Sequence, residues 1–455
     1  MKKIGFCAIA GSGMSALAQI LNYKKNDIHG TDRSFDQGKE QKAKQKLTDL
    51  GIKLYPQDGS MLDETFDVLY ASTAVEDTIP DIKRAKELNI PIKHRSDLLE
   101  EIFSSYKYNI AIGGTSGKST VTAMIGYILD KAEKKPLVIN GALLKNYENQ
   151  QGIPNVILND GDYCVIEADE SDGSIEKYTP YVSVINNISL DHKSIEELKQ
   201  LFGDFAKKAQ KGAVINKDCP NSKEITTLNP TTLTFSISDS SADFFAENII
   251  AIQNGTSYTF NGKNYKLNLI GKFNVSNAMC AVACCSLLGI KPEDSCSFLE
   301  TFLGTKRRLE VLGHTNNITV IDDFAHNPDK VNASMSALKS YKGRLILMFQ
   351  PHGFSPMRLM GKEIIEKFAH HMDKEDILLI PEIFFAGGTV KRDISSLDLV
   401  NHATSLGANA KFFQTRDELK QHILEIAQPN DRIVLMGARD NTITDMGFEL
   451  LEKLK

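Results

Sequence analysis

The chain has 455 residues, 42% of them hydrophobic and 24% charged, with a net charge of −5. That balance fits an ordinary globular protein and excludes both the basic footprint of a nucleic-acid binder and the cationic anchor of an anionic membrane surface. At about 150 residues per domain the length calls for roughly three domains, and no apolar run reaches the roughly 18 residues of a membrane span, so a cytoplasmic address is expected. The cysteines at 7, 164, 219, 280, 284, 285 and 296 form no C-x-x-C pair and read as reduced core residues.

Taken in order, Ile4 to Ile9 reads as a first strand. The Met1-Lys2-Lys3 start has the outline of a secretory leader, but its apolar run is short and passes directly into a glycine turn and a helix. Further strands are expected at Asp27 to Thr31, Lys53 to Tyr55, Val68 to Ala71 and Ile90 to Lys93. Gly11-Ser12-Gly13 follows the first strand and Asp32 ends the second, close to the G-x-G-x-x-A fingerprint with an acid about twenty residues on. Such a turn serves NAD, serves a uridine diphosphate, or is only a structural βα turn. The polar stretch Phe103 to Lys107 is expected to link this unit to the next.

The run Asn109 to Thr120 joins a strand, the turn Gly113-Gly114-Thr115-Ser116-Gly117, a lysine, two hydroxyls and a helix. Glycines let backbone N–H groups approach an anion, the helix start adds partial positive charge, Lys118 reaches the outer phosphates of a nucleotide, and Ser119 ligates Mg²⁺. Val121, Met124, Ile125, Ile128 and Leu129 recur at helical spacing. Ile112 stands where the generic phosphate loop has its first glycine.

Tyr163 to Asp172 is an apolar strand ending in Glu167, Asp169, Glu170 and Asp172, where a carboxylate would face a bound nucleotide and hold Mg²⁺. A second such strand, Val182 to Ile188, leads to Asp191 and His192, and His192 and Glu170 could meet across a metal. The polar block Ser236 to Asp243 reads as a surface loop or hairpin. A third βα series opens at Lys306-Arg307-Arg308, with strands near Thr319 to Ile321, Arg344 to Phe349, Ile377 to Ile380 and Arg432 to Met436. Alternating strands and helices throughout make the fold α/β with parallel sheets.

These residues resemble the Mur ligases, ATP-dependent enzymes that join an amino acid or peptide to a UDP-muramyl carboxylate. The resemblance spans nearly the whole chain and implies three domains: residues 1–106, Rossmann-like, for the UDP-sugar; 107–304, a phosphate-loop ATPase; and 305–455, Rossmann-like, for the acceptor. Gly114 to Thr120 is similar to the family's short phosphate loop, and Glu167 to Ser174 to its alanine-adding branch. Gly11, Ser12, Gly13, Met14 and Ser15 resemble that branch's uridine turn, with Asp32 and Ser72 joining the substrate site. By the resemblance ATP is held by Gly114, Thr115, Gly117, Lys118, Ser119 and Thr120. Ser119 and Glu170 ligate one Mg²⁺ and His192 a second, Asn274 and Asn277 contact adenine, and Arg307 closes over the γ-phosphate. Asp323 and His326 handle the amine's proton or orient phosphate.

The departures concern the acceptor. In Gln350 to Pro356 the alanine-adding branch usually carries arginines where Gly353 and Pro356 stand; His352 remains, and Arg358 follows two residues on. Met357 to Gly361 is closer to the related enzyme that attaches a whole tripeptide to UDP-N-acetylmuramate. Phe273 replaces a histidine usual before Asn274. The expected acceptor is L-alanine, with the tripeptide as the alternative; ligation is expected, with a nucleotide-binding protein that has lost it as the alternative; and the assembly is left open between monomer and homodimer.

Overall fold

The computed structural model describes the chain apart from residues 73–74, 171–172, 191–192, 228–230, 386–390, 439 and 441, and apart from the side chains of residues 226 and 227. The first sheet is built from β1 (Lys3–Cys7), β2 (Asp27–Thr31), β3 (Lys53–Tyr55), β4 (Val68–Ala71) and β5 (Ile92–His94). All neighbours are parallel in the order β3-β2-β1-β4-β5, so the crossover reverses beside β1, at the turn that opens the helix Ser12–Tyr23.

The second sheet comprises β6 (Tyr108–Gly113), β7 (Leu137–Ile139), β8 (Val156–Ile157), β9 (Tyr163–Glu167), β10 (Val182–Ile185), β11 (Gly212–Asn216), β12 (Thr232–Ser236) and β13 (Phe244–Phe245). Its order is β13-β12-β11-β10-β6-β9-β7-β8, with only the β7–β8 pair antiparallel. Strands β10 and β11 are buried along their whole length, which is why they read as unbroken apolar runs. In the helix Lys118–Lys131 the five apolar residues at helical spacing are all buried. The block Ser236 to Asp243 is the loop between β12 and β13, gathered around the Asp218 carboxylate.

These two sheets share one core. Phe6, Leu17 and Phe103 belong to the same apolar cluster as Ala111, Ile166 and Tyr178, and the Gln19 amide bonds both Asn155 Oδ1 (3.0 Å) and the Ile153 N–H (2.8 Å). The polar link expected at Phe103 to Lys107 begins with a buried anchor. Phe103 ends the helix Arg95–Ser104 fully buried, edge-on to Tyr178 at 5.3 Å, and the serines that follow hid it. The chain accordingly divides into two compact units: Met1–Glu247 with Thr259–Tyr265 and Ser276–Thr305, and Asn248–Tyr258 with Lys266–Val275 and Lys306–Lys455.

A three-stranded sheet, β14 (Glu247–Ile252), β15 (Gly255–Phe260) and β16 (Lys263–Leu267), was not foreseen from the sequence. The second unit's main sheet is β17 (Glu310–Thr315), β18 (Ile318–Asp323), β19 (Leu345–Phe349), β20 (Ile377–Pro381), β21 (Ala410–Phe413) and β22 (Arg432–Met436). Its order is β17-β18-β22-β19-β20-β21, and β17 alone runs antiparallel. All seven cysteines are buried and unbridged. Among the described residues no helix is long and apolar enough to cross a membrane.

Candidate active site

Strand β6 enters the glycine turn from the middle of its sheet. Gly114 (φ 132°) and Gly117 (φ 85°) adopt backbone that side chains rarely tolerate, and a Cβ on Gly117 would fall 2.3 Å from Asn186 Nδ2. The crowding comes from asparagines packed beneath the loop. Asn187 Oδ1 accepts from the Ser116 N–H at 2.8 Å, its carbonyl accepts from the Thr115 N–H at 3.0 Å, and the side-chain amides of Asn186 and Asn187 both donate to the Ser116 carbonyl at 2.9 Å. Asn186 Nδ2 also donates to Asn277 Oδ1 at 3.0 Å, and Thr115 exchanges hydrogen bonds with Ser189. The loop is thus held in shape before any ligand arrives, with the first-turn N–H groups of the helix lacking intrahelical acceptors.

Lys118 Nζ lies 2.7 Å from the Gly114 carbonyl and 2.7 Å from Glu170 Oε2. Ser119 Oγ donates to Glu167 Oε2 at 2.9 Å, and the other Glu167 oxygen accepts from the Gly141 N–H. Glu167 closes β9 level with Ile112 of β6, so the parallel register sets its carboxylate against the loop. Ile112 itself is fully buried in the strand. Of the two groups expected at one Mg²⁺, the Ser119 hydroxyl bonds Glu167 and the Glu170 carboxylate takes the Lys118 ammonium. Glu167 was legible as the last residue of an apolar strand. Asn140, at the end of β7, was also passed over; it is buried, and neither side-chain amide atom has a hydrogen-bond partner among the described residues.

A hydroxyl and two carboxylates within one cation's reach of the loop are hard oxygen donors suited to Mg²⁺, which takes one or two carboxylates and completes its shell with phosphate oxygens and water. Among the described residues no trio of His, Cys, Asp or Glu is spaced to hold a metal unaided. His192, expected at a second Mg²⁺, lies outside the described residues, as do Asp191, Ser171 and Asp172.

At the first turn, Asp32 is spent on the protein itself. Its Oδ2 accepts from the Ala10 N–H at 2.8 Å, and its Oδ1 from the Ser34 N–H and hydroxyl at 2.8 and 2.7 Å. Gly11 and Ser12 are exposed, whereas Met14 is in the core and Ser15 bonds the Ser12 carbonyl and Asn155. Of the expected uridine-turn residues, the structure leaves Gly11 and Ser12 open to a ligand and commits Met14 and Ser15 to packing. Ser72 directly follows β4 at the same sheet edge. Asn274 sits in the first turn of the helix Lys272–Leu287, its amide donating to the Ile270 carbonyl at 2.8 Å.

In the second unit, Arg307 is 7% exposed. Its Nε meets Asp322 Oδ1 at 3.2 Å, its Nη2 donates to the Gly437 carbonyl at 2.6 Å, and its guanidinium lies over Phe324. Closing over a phosphate requires breaking that set. Burial raises the pKa of Asp322 and of Asp323, the latter accepting from Ser334 and the Leu309 N–H. Burial, then the Lys330 charge, pushes His326 down to about 3. Its Nδ1 is 2.8 Å from the Phe324 carbonyl, which can only accept, so Nδ1 carries the proton and Nε2 is a weakly basic acceptor. His352 stands 5.5 Å away, ring to ring. Arg358 is engaged with Asp393 at 2.7 Å.

Known proteins are similar to this chain along nearly its whole length. Residues 3–107 match the Mur ligase family catalytic domain, 112–285 the Mur ligase middle domain, and 307–439 the Mur ligase glutamate ligase domain. The chain is 33% identical to the UDP-N-acetylmuramate–L-alanine ligase of Dictyoglomus turgidum, over 96% of this chain and 92% of that one. It is also 33% identical to the enzyme of that name from a Sulfurihydrogenibium species, over 100% and 98%. Among solved structures it is similar to a UDP-N-acetylmuramate–alanine ligase from Thermotoga maritima, with a TM-score of 0.81, 26% identity and coverage of 100% and 99%. A murein peptide ligase from Psychrobacter arcticus, at 21% identity and a TM-score of 0.69 over 100% and 99%, has the same fold. With all three domains matched in order and the relatives aligned almost end to end, the chain belongs to the Mur ligase family.

Proposed function

We propose that this ATP-dependent ligase joins L-alanine to the carboxylate of UDP-N-acetylmuramate in the cytoplasm, as a step of peptidoglycan biosynthesis. The observation that carries the reading is the charged pair of contacts at the phosphate loop, Lys118 on Glu170 and Ser119 on Glu167, set on a loop that the asparagines beneath already hold in shape. The substrate carboxylate attacks the γ-phosphate of ATP in line, releasing ADP and leaving an acyl phosphate. The alanine amine then attacks the acyl carbon, and phosphate departs. Lys118 exchanges Glu170 for phosphate oxygens, and Ser119, Glu167 and Glu170 are the oxygen donors for Mg²⁺, which when bound neutralises charge on the phosphates. Catalysis here is mostly positioning and charge neutralisation. His192 is assigned to a second Mg²⁺, Asn274 and Asn277 to adenine, and Arg307 to the γ-phosphate after leaving Asp322. The neutral His326, with Asp323 behind it, orients phosphate or accepts a hydrogen bond from the amine. The working domains are assigned as residues 1–106, 107–304 and 305–455.

The test is phosphate release with ATP, Mg²⁺ and UDP-N-acetylmuramate against L-alanine, glycine, L-serine and the L-Ala-γ-D-Glu-diaminopimelate tripeptide. Release with L-alanine and a product of matching mass is the expected result. Release with the tripeptide alone would make the chain a recycling ligase, and silence with all four while ATP and UDP-sugar still bind would remove ligation.

A further inference from the structure

The acceptor in the proposed reaction is an amino acid, whose carboxylate needs a cation, and Gly353 and Pro356 supply none. Gly353 sits at φ +72°, a conformation that a side chain adopts only under strain, and it caps the helix Phe354–His371, so the backbone here is shaped for glycine. Its N–H donates to the Phe384 carbonyl at 2.9 Å, and the Phe384 N–H to the Pro351 carbonyl at 2.8 Å, extending the β19–β20 pairing beyond both strands. That extension brings Phe354 and Phe385 together, ring centroids 5.6 Å apart, at the C-terminal edge of the sheet, where open α/β folds receive ligands.

One guanidinium lies over both rings. Arg392 is 4.4 Å from the Phe385 centroid and 5.7 Å from that of Phe354, a cation–π placement that holds the guanidinium beside the rings. Its neighbours are already neutralised. Asp393 takes Arg358 at 2.7 Å and Lys391 at 3.1 Å, and the Lys391 carbonyl takes the Arg358 Nη2 at 2.9 Å. Of these three cations, only Arg392 makes no hydrogen bond or ion pair among the described residues, and it is exposed to an incoming ligand. A guanidinium held close to two aromatic rings, with no hydrogen bond to the described residues, is suited to bidentate capture of a carboxylate. We propose that Arg392, held over Phe354 and Phe385, grips the carboxylate of the incoming amino acid. This assignment rests on the amino-acid ligase reading above. It replaces Arg358, whose fork is committed to Asp393, as the acceptor's cation.

The experiment measures phosphate release by the full chain, with ATP and UDP-N-acetylmuramate saturating, titrated with L-alanine and with L-alaninamide, which lacks the carboxylate. The wild type is expected to prefer L-alanine. Arg392→Ala raises the KM for L-alanine by about tenfold or more, the scale of a lost bidentate pair, with KM for ATP and for UDP-N-acetylmuramate unchanged and the preference over L-alaninamide gone. Arg392→Lys recovers only part of that preference, because an ammonium cannot fork. The melting temperature of both variants stays that of the wild type, since the side chain is exposed. An unchanged KM for L-alanine in Arg392→Ala overturns the assignment, as does an equal loss for the acid and the amide, which would mark a packing role. A wild type that uses no amino acid at all overturns the ligase reading itself, and is told apart because no variant is needed to see it.

Discussion

The first unit contains two strand–glycine turn–helix junctions with the same outline but different backbone geometry and different chemistry. After β1, the turn at Gly11 is closed by Asp32, whose oxygens are all directed at the protein's own N–H and O–H groups. After β6, the turn at Gly114 to Gly117 is closed from beneath by neutral asparagines, and its charged groups, Lys118 and Glu170, pair with each other, Lys118 also bonding the Gly114 carbonyl. A carboxylate that braces a turn makes a rigid seat in which the charge of the acid is already spent on the protein. A cation whose carboxylate can be exchanged for phosphate makes a reactive one. As sequence, the glycines do not distinguish the two turns; the residues that brace them do.

The sharpest way to break this comparison is Lys118→Ala. Turnover should fall on the order of 10²–10³-fold, the cost of removing one preorganised transition-state contact. The same change leaves the buried Glu170 without its cation, which costs about 1–3 kcal/mol of stability. Adding Glu170→Gln should restore the melting temperature without restoring turnover. If the single variant kept near-normal phosphate release, Lys118 would be structural and the two turns would be chemically alike. Gly117→Ala comes next. Its Cβ meets Asn186 Nδ2 and Asn277 Oδ1 at a positive φ, so about 1–3 kcal/mol of strain should appear as a lower melting temperature together with weaker ATP binding measured by calorimetry.

Much of this was legible from the residues. The strands at Asp27–Thr31, Lys53–Tyr55, Val68–Ala71 and Arg432–Met436 fall where their apolar runs lie, and the helix at Lys118 follows from its own spacing. What escaped was set by partners distant in the chain. Strands β14, β16 and β17 are partly exposed and are fixed by pairing with their neighbours in the sheet. Phe103 looked like part of a linker because its burial comes from Tyr178, far along the chain. The division of labour between Glu167 and Glu170 depends on the β6–β9 register, which no spacing within one segment encodes. The burial of Arg307 depends on Asp322 and Gly437 together.

On the other turn, Asp32→Asn tests bracing. An amide can keep only one of the two oxygens as an acceptor, so either Ala10 or Ser34 loses a charged hydrogen bond, a loss of about 1–2 kcal/mol by analogy with removed helix caps. The expected signature is a lower melting temperature and a higher KM for UDP-N-acetylmuramate, with KM for ATP unchanged. A rise in both KM values would mean that the shared core around Gln19 and Asn155 transmits damage from one turn to the other, and the two seats could no longer be treated separately.

The smallest structural effect, and the most informative contrast with Gly117, is expected from Gly11→Ala. Gly11 has φ −58°, which any residue adopts, and an added Cβ would meet only the Ala8 carbonyl at 3.6 Å, an ordinary contact. Nothing in the protein requires glycine there, so stability should change by no more than about 0.5 kcal/mol. A substrate backbone or phosphate approaching the turn would require it, because the methyl group would occupy the space a ligand oxygen needs beside the N–H groups. A raised KM for UDP-N-acetylmuramate at unchanged melting temperature therefore places the ligand against Gly11. An unchanged KM means that the UDP-sugar approaches the sheet edge elsewhere, and that this turn resembles the phosphate loop in outline only.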